Sequence, residues 1–393
     1  MALSKAVLAV DAASDRGRSI PDSMTANYSQ PFLIELESGV RDKLPIPKTT
    51  FNAANDAIVD IDHWHTERST SVLLGNDAVF YPKGIIAINN ALLLESLTPT
   101  FVSFRDHELD SVYKDFDLIA GASTINLDST GAIESLDPHL MYACPFVFAC
   151  SNFGHWHYNV LSSIALIEKH LPSAKLLFPS LSAYQRESLN MLGLDLDRIV
   201  EVGFSTPVHV ANFAFPSPSW TWDGIPNPGL SYLPMQRMAE TAIGSNISYP
   251  GFANPKKIYV SRLGDKIRPI SNEVEVCALF AKYGFSIIKP VDFSYGEMIP
   301  VFANAEFIAG PVGSAMTRIG FSRPGFSFLQ LSFEGSHDYF MHCNANWAGA
   351  RKSYTYLEDS CNIVYGSSSR TANQIMEWSI NISKLDFFLR SIF

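Results

Sequence analysis

Three short stretches of the 393-residue chain carry side chains suited to chemistry. The first runs from Gly310 to Gly320, "GPVGSAMTRIG". Gly310 and Gly313 permit close backbone approach and positive φ. Ser314 opens a helix-like segment, whose first N–H groups and dipole favour an anion. A phosphate fits this pattern, and so does a tight strand-to-helix turn that only needs small residues. No Lys follows the second glycine and the spacing is not G-x-G-x-x-G, so the stretch is neither a Walker loop nor a dinucleotide fingerprint. The second stretch, "RLGDKIRPIS", holds Arg262, Lys266 and Arg268. Arginine suits bidentate contact with a diphosphate. Alone the loop also reads as a solvated polar turn; on one rim with the glycine loop it reads as half of a nucleotide-diphosphate site.

The third stretch is "SNFGHWHYNVLSSIALIEKHLP". His155, Asn159 and Ser162 stand at i, i+4 and i+7 and share a polar stripe on a helix. A histidine there can take a proton near neutral pH. The blander reading is a helix-start histidine bonded to backbone, and His157 points elsewhere on the helix. Two further groups are weaker. Asp60, Asp62, His63 and His65 alternate in "DIDHWHTER", a poor metal signature. Trp220, Trp222 and Tyr232 could stack on sugar rings, although such a loop more often packs between domains.

The elements that must position these residues are clearest over 257–333. Strand "KIYVS" leads to the basic loop, then to helix "NEVEVCALFAKYG", with Asn272 and Glu275 spaced as a capping box and Gly284 as a stop. Strand "FSIIKP", helix "SYGEMIPVFANA" (Ser294 and Glu297 repeat the box), strand "EFIAG", the glycine loop and strand "FSFLQLS" follow. Strands and helices alternating at this length predict a parallel, doubly wound sheet, which binds ligands at strand carboxyl ends. Both loops occupy such ends. The text from "MYACPFVFAC" (141–150) through "AKLLFP", "SAYQRESLNMLG" and "RIVEVG" is also α/β, and Trp156, Val160, Leu161, Ile164, Ile167 and Leu171 mark the buried stripe of its first helix. Earlier, 1–70 reads as polar and irregular, with "KLPIPKTT" as loop, and 77–120 as strand-like ("AVFYPKGIIAI", "TPTFVSFRDHEL"). A Pro- and Trp-rich segment at 212–256, interrupted by helix "MQRMAETAI", marks the domain boundary.

The totals narrow the classes. With 47% hydrophobic and 17% charged residues the chain is globular, and its length suggests two domains. A net charge of -10 argues against a general nucleic-acid binder. Five scattered cysteines without a CxxC pair read as reduced thiols and no zinc site. The start lacks a secretory h-region, and no apolar run reaches the ~18 residues of a membrane span. A cytoplasmic protein is expected.

These motifs, in this order over about residues 140–350, resemble glycosyltransferase family 61, which includes many bacterial proteins of capsular polysaccharide biosynthesis. The family's N-Y/F-x-H motif stands here as "NFGH" at 152–155, its S/T-R…R…N-E pattern as "YVSR…IRPISNEVEV", and its G-x-x-G-[SA]-A motif as "GPVGSAMTRIGFSRPGFSFLQL". The resemblance implies a GT-B architecture, two Rossmann-like domains with a cleft between them: 1–235 on the acceptor side, 250–370 binding the nucleotide sugar, and 371–393 a helix that could cross back to the first domain. It implies an inverting hexosyl- or pentosyltransferase with His155 as base. Arg262, Lys266, Arg268, Gly310, Gly313 and Ser314 would hold the nucleotide-sugar donor. Asn152 and Asn159 would contact substrate, a glycan or polysaccharide would be the acceptor, and no essential metal or other cofactor is expected. A synthesis complex could bring the protein to a membrane surface. Asn159 stands where relatives often carry Asp or Glu, Val312 where they carry His, and Gln330 where they carry Glu. A non-catalytic sugar-nucleotide or glycan-binding subunit, or a nucleotide-sugar epimerase or hydrolase, are the alternative readings.

Overall fold

The computed structural model describes residues 133–145, 152–203, 206–216, 228–244, 255–265, 268–333, 339–358 and 376–393, with strand segments at 2–3, 5–7, 13–14, 32–37, 48–52, 57–60, 70–81, 85–88, 91–93, 125–126 and 363–365. The chain is α/β and divides into two units, Met1–Asp42 with Thr66–Pro234, and Lys43–His65 with Met235–Phe393.

In the first unit, strands Met141–Ala143, Lys175–Phe178, Ile199–Glu201 and Val208–Pro216 run parallel. Taken in chain order as one to four, they lie in the order 3-2-1-4. This is the order of half a Rossmann sheet, and its switch point falls between the first and fourth strands. The long strand Thr70–Tyr81 pairs antiparallel with Val208–Pro216 and, across a hairpin, with Ile85–Ile88. The helix after the first strand buries every residue of its expected stripe, from Trp156 to Leu171. The strand expected over 141–150 is described only to Ala143; residues 146–151 and the strand-like stretch "TPTFVSFRDHEL" lie outside the described residues.

The second unit is built on β1 (Lys257–Val260), β2 (Ser286–Ile288), β3 (Phe307–Pro311), β4 (Ser327–Phe333) and β5 (Lys352–Glu358), all parallel, in the order β2-β1-β3-β4-β5. This is the other doubly wound order, with its switch point between β1 and β3. The central strands are buried on both faces: all five residues of β3 and all seven of β4 are buried, as expected of parallel strands covered on both sides. Helices α1 (Glu273–Lys282), α2 (Tyr295–Asn304), α3 (Tyr339–Trp347) and α4 (Ile382–Ile392) complete the unit. Its core includes Tyr259, Val276, Phe280, Leu329, Tyr356 and Phe388.

The sequence reading is corrected in several places. "KLPIPKTT" is not all loop: Lys48–Asn52 pairs parallel with β5 and antiparallel with Ala57–Asp60, so a hairpin from the first seventy residues extends the second sheet. The capping box is present at Ser294 and Glu297 but not at Asn272. The Asn272 side chain is used elsewhere, donating to Ile380 O at 2.8 Å and accepting from Ile380 N at 3.0 Å. Gly284, at φ 81°, follows the end of α1 as expected. The segment 371–393 is not one helix; strand Met376–Trp378 precedes α4. Helix α4 belongs to the second unit, where Asp386 accepts from Tyr283 Oη at 2.8 Å.

Candidate functional site

Arg262 leaves the carboxyl end of β1, and Gly313 leaves that of the neighbouring β3. The two loops therefore flank the switch point of the second sheet, where they diverge and open a crevice in this class of fold. Arg262 is bound into place at several points. Its backbone N–H donates to Glu273 Oε1 at 2.6 Å, its Nη1 to Val312 O at 2.8 Å, and its Nε to Asp265 at 3.2 Å. Arg268 closes the same loop at φ 53°, a conformation uncommon for a non-glycine residue. The loop's far end is pinned by Trp378, whose N–H donates to Pro269 O and whose carbonyl accepts from Ser271 N. Both guanidiniums converge on Gly313: a Cβ there would lie 2.8 Å from Arg262 Nη1 and 3.8 Å from Arg268 Nη2.

Glu273 was not among the expected site residues. It is 2% exposed and accepts from Arg262 N, from Ser261 Oγ at 3.0 Å and from Tyr259 Oη at 3.4 Å. Burial pushes its carboxyl above the usual range, against the lowering effect of those donors. Its signal in the sequence was the N-E pair that closes the "YVSR…IRPISNEVEV" pattern.

The glycines divide their duties. Gly310 lies inside β3, where a Cβ would meet Met316 Sδ at 2.7 Å and Val260 at 3.1 Å. It is closely packed within the sheet. Ser314 is exposed and opens a helix, Ser314–Phe321, of 3-10 form. Helix starts leave N–H groups without intrahelical partners. Val312 is buried and contributes its carbonyl to Arg262, and Gln330 is buried opposite Gly310 in β4. Lys266 lies outside the described residues.

In the first unit, His155 lies at the start of the helix that follows the first parallel strand. Asn152 caps the helix start, its Oδ1 accepting from Gly154 N at 2.8 Å and His155 N at 3.5 Å. A π-helical turn, Trp156–Val160, comes next, before the α-helix Leu161–His170. Such turns recur at functional sites. His155 Nδ1 lies 3.0 Å from Asn159 Oδ1. Burial holds the His155 imidazole below its ordinary pKa, and the Asn159 bond acts in the opposite direction. Ser162, the third member of the expected stripe, turns its hydroxyl to Tyr158 O and Asn159 O. The backbone-bonded histidine is His157, whose Nδ1 lies 2.6 Å from Phe153 O.

Tyr232 is buried, which removes it as an exposed sugar-stacking platform, while Trp220, Trp222 and the side chains of Asp60, Asp62, His63 and His65 lie outside the described residues. Among the described residues no group of three His, Cys, Asp or Glu is placed to hold a metal ion, and no helix is long and apolar enough to cross a membrane.

Residues 153–329, from the turn of His155 to β4, match the family model Glycosyltransferase 61. Over these residues the chain is similar to the family 61 glycosyltransferases. The match takes in His155, Asn159, both arginines, Glu273 and Gly313. No curated protein matches the chain.

Proposed function

We propose that the protein is a glycosyltransferase of the family 61 type that moves a hexosyl or pentosyl group from a nucleotide-sugar donor to a glycan or polysaccharide acceptor, with inversion, in a GT-B arrangement. The observation that supports it best is the convergence of Arg262 and Arg268 on Gly313 at the switch point between β1 and β3. Two guanidiniums over a glycine offer charge-assisted donors to a diphosphate with no side chain in the way. As the bond to the sugar breaks, negative charge grows on the departing nucleotide diphosphate, and fixed donors aimed there lower the barrier. The arginines supply the countercharge, and the proposal includes no essential metal or other cofactor.

His155 serves as the base that takes the acceptor hydroxyl proton. Its depressed pKa keeps it neutral and able to accept a proton at cytoplasmic pH, the compartment we propose, in a bacterial polysaccharide pathway of the capsular type. A panel of sugar nucleotides in a thermal-shift assay identifies the donor, because a ligand that binds only the native state raises Tm. Arg262→Ala and Arg268→Ala should then each weaken that donor by about 10- to 150-fold, the worth of ~1.5–3 kcal/mol for a charged hydrogen bond. Unchanged affinity in both variants would remove the loop from the site. Donor binding without transfer to any acceptor would favour the non-catalytic binding subunit.

A further inference from the structure

We propose that Asn159 is a positioning residue that holds His155 in the tautomer protonated at Nδ1, leaving the lone pair of the neutral ring on Nε2. The functional half of this statement, that Nε2 is the atom that accepts the proton, rests on the reading of His155 as base. The structural half rests on the geometry alone.

An amide oxygen only accepts hydrogen bonds, while a neutral imidazole has one donor and one acceptor nitrogen. With Asn159 Oδ1 at 3.0 Å from Nδ1, the proton belongs on Nδ1. The π turn fixes this pair. Leu161 N–H bonds to Trp156 O, five residues back, and Asn159 lies inside that widened turn, 1% exposed. Its amide nitrogen, Nδ2, is buried with no hydrogen-bond partner among the described residues. The side chain is thus held by what its oxygen does, and an aspartate in its place gives up no bond of the nitrogen. The neighbouring polar groups are otherwise engaged: Ser162 with the backbone of Tyr158 and Asn159, His157 with Phe153 O, and Asn152 with the amides of Gly154 and His155. The titratable side chains on the same turns are His157 and Tyr158, both buried, and Tyr184 of the adjoining helix packs on Phe153 and Trp156. Burial lowers the pH at which His155 titrates, and the Asn159 bond acts in the opposite direction.

An uncharged partner orients the ring as a carboxylate would, without raising its basicity. Exchange of Asn159 therefore has a signed effect that a purely structural residue does not produce. Asn159→Asp keeps the acceptor, adds a charge, and should move the His155 midpoint up by about one pH unit or more. Asn159→Leu removes the acceptor and should move it down, with the neutral ring shared between tautomers.

The measurement is nitrogen-15 NMR of labelled histidine in the full chain between pH 5 and 9, with His155 assigned by His155→Ala. In wild type the neutral ring is expected with its proton on Nδ1. A wild-type ring protonated on Nε2, or equal midpoints in wild type and Asn159→Asp, overturns the proposal. If Asn159→Leu does not fold, the Asp variant alone decides. Sugar transfer is measured on the same proteins, and the acid limb of kcat/KM should follow the NMR midpoint. A His155→Ala protein as active as wild type overturns the base reading, while the NMR result judges the tautomer independently.

Discussion

Replacing Gly313 with alanine adds one methyl group at the place where both arginines converge. The new Cβ would lie 2.8 Å from Arg262 Nη1 and 3.4 Å from its Cζ, closer than packed atoms tolerate. The backbone is at φ 157° and ψ 168°, which side-chain-bearing residues seldom adopt. The guanidinium is the far end of a flexible chain, so it should swing away and break its 2.8 Å bond to Val312 O. The lost bond and the backbone strain together cost about 2–5 kcal/mol of stability. A guanidinium displaced from a phosphate forfeits a further ~1.5–3 kcal/mol of donor binding, so Kd should rise about 10- to 150-fold. Gly310→Ala is the matched control. Its Cβ would strike Met316 Sδ at 2.7 Å and the Val260 backbone at 3.1 Å, inside the sheet and away from the guanidiniums. It should lower stability while the folded protein keeps its Kd. Chemical denaturation and calorimetric titration with the identified sugar nucleotide measure the two effects separately. A Gly313→Ala protein that binds donor like wild type would refute the argument and leave the loop as a tight turn.

Two further outcomes follow from the titrating groups. Glu273→Gln should loosen the root of the basic loop and weaken donor binding, because a neutral amide oxygen holds the three donors on Oε1 more weakly than a charged carboxylate does. Burial raises the Glu273 pKa in the folded chain, so its contribution is fully present below the unfolded value and is lost as pH rises through the folded one. Wild type should therefore lose stability relative to Glu273→Gln as pH climbs out of the acid range, and parallel denaturation curves at every pH would contradict this. His155→Ala should cut transfer about 10²- to 10⁴-fold with donor affinity nearly kept. Because its pKa is depressed below 6.5 in the fold, the acid limb of wild-type kcat/KM should have its midpoint below that value, and a midpoint above it would argue for another base.

The second sheet was legible because its strands are short apolar runs separated by helices with clear stops. Strand ends put Arg262 and Gly313 on loops at one rim of the sheet. What stayed hidden has physical causes. Lys48–Asn52 is only five residues long and mostly polar, and its pairing with β5 spans some three hundred positions. Gly310 and Gly313 look alike in a motif, yet one serves sheet packing and the other close approach of charge, a distinction only neighbours reveal. The Asn272 pattern failed because a tertiary partner, Ile380, took the side chain that a local cap would have used. The π turn after His155 leaves no mark in a periodicity of 3.6, and it placed Ser162 against the backbone instead of beside His155. Glu273 appeared only as part of the N-E pattern, and its burial against Ser261 and the Arg262 amide is a tertiary contact that the pattern does not encode.

The hairpin formed by Lys48–Asn52 and Ala57–Asp60 has a bearing on how the protein is made. During synthesis these residues emerge early and must wait, without their sheet, until β5 leaves the ribosome. The long closure is slow to find and exposes an unpaired strand meanwhile. Cutting the gene at the apparent domain boundary would produce a C-terminal fragment whose β5 has a bare edge, an invitation to self-association. The second unit is continuous in space but not in the reading frame. A circularly permuted gene that places residues 43–65 next to the C-terminal half would shorten that wait, and refolding rate would show by how much.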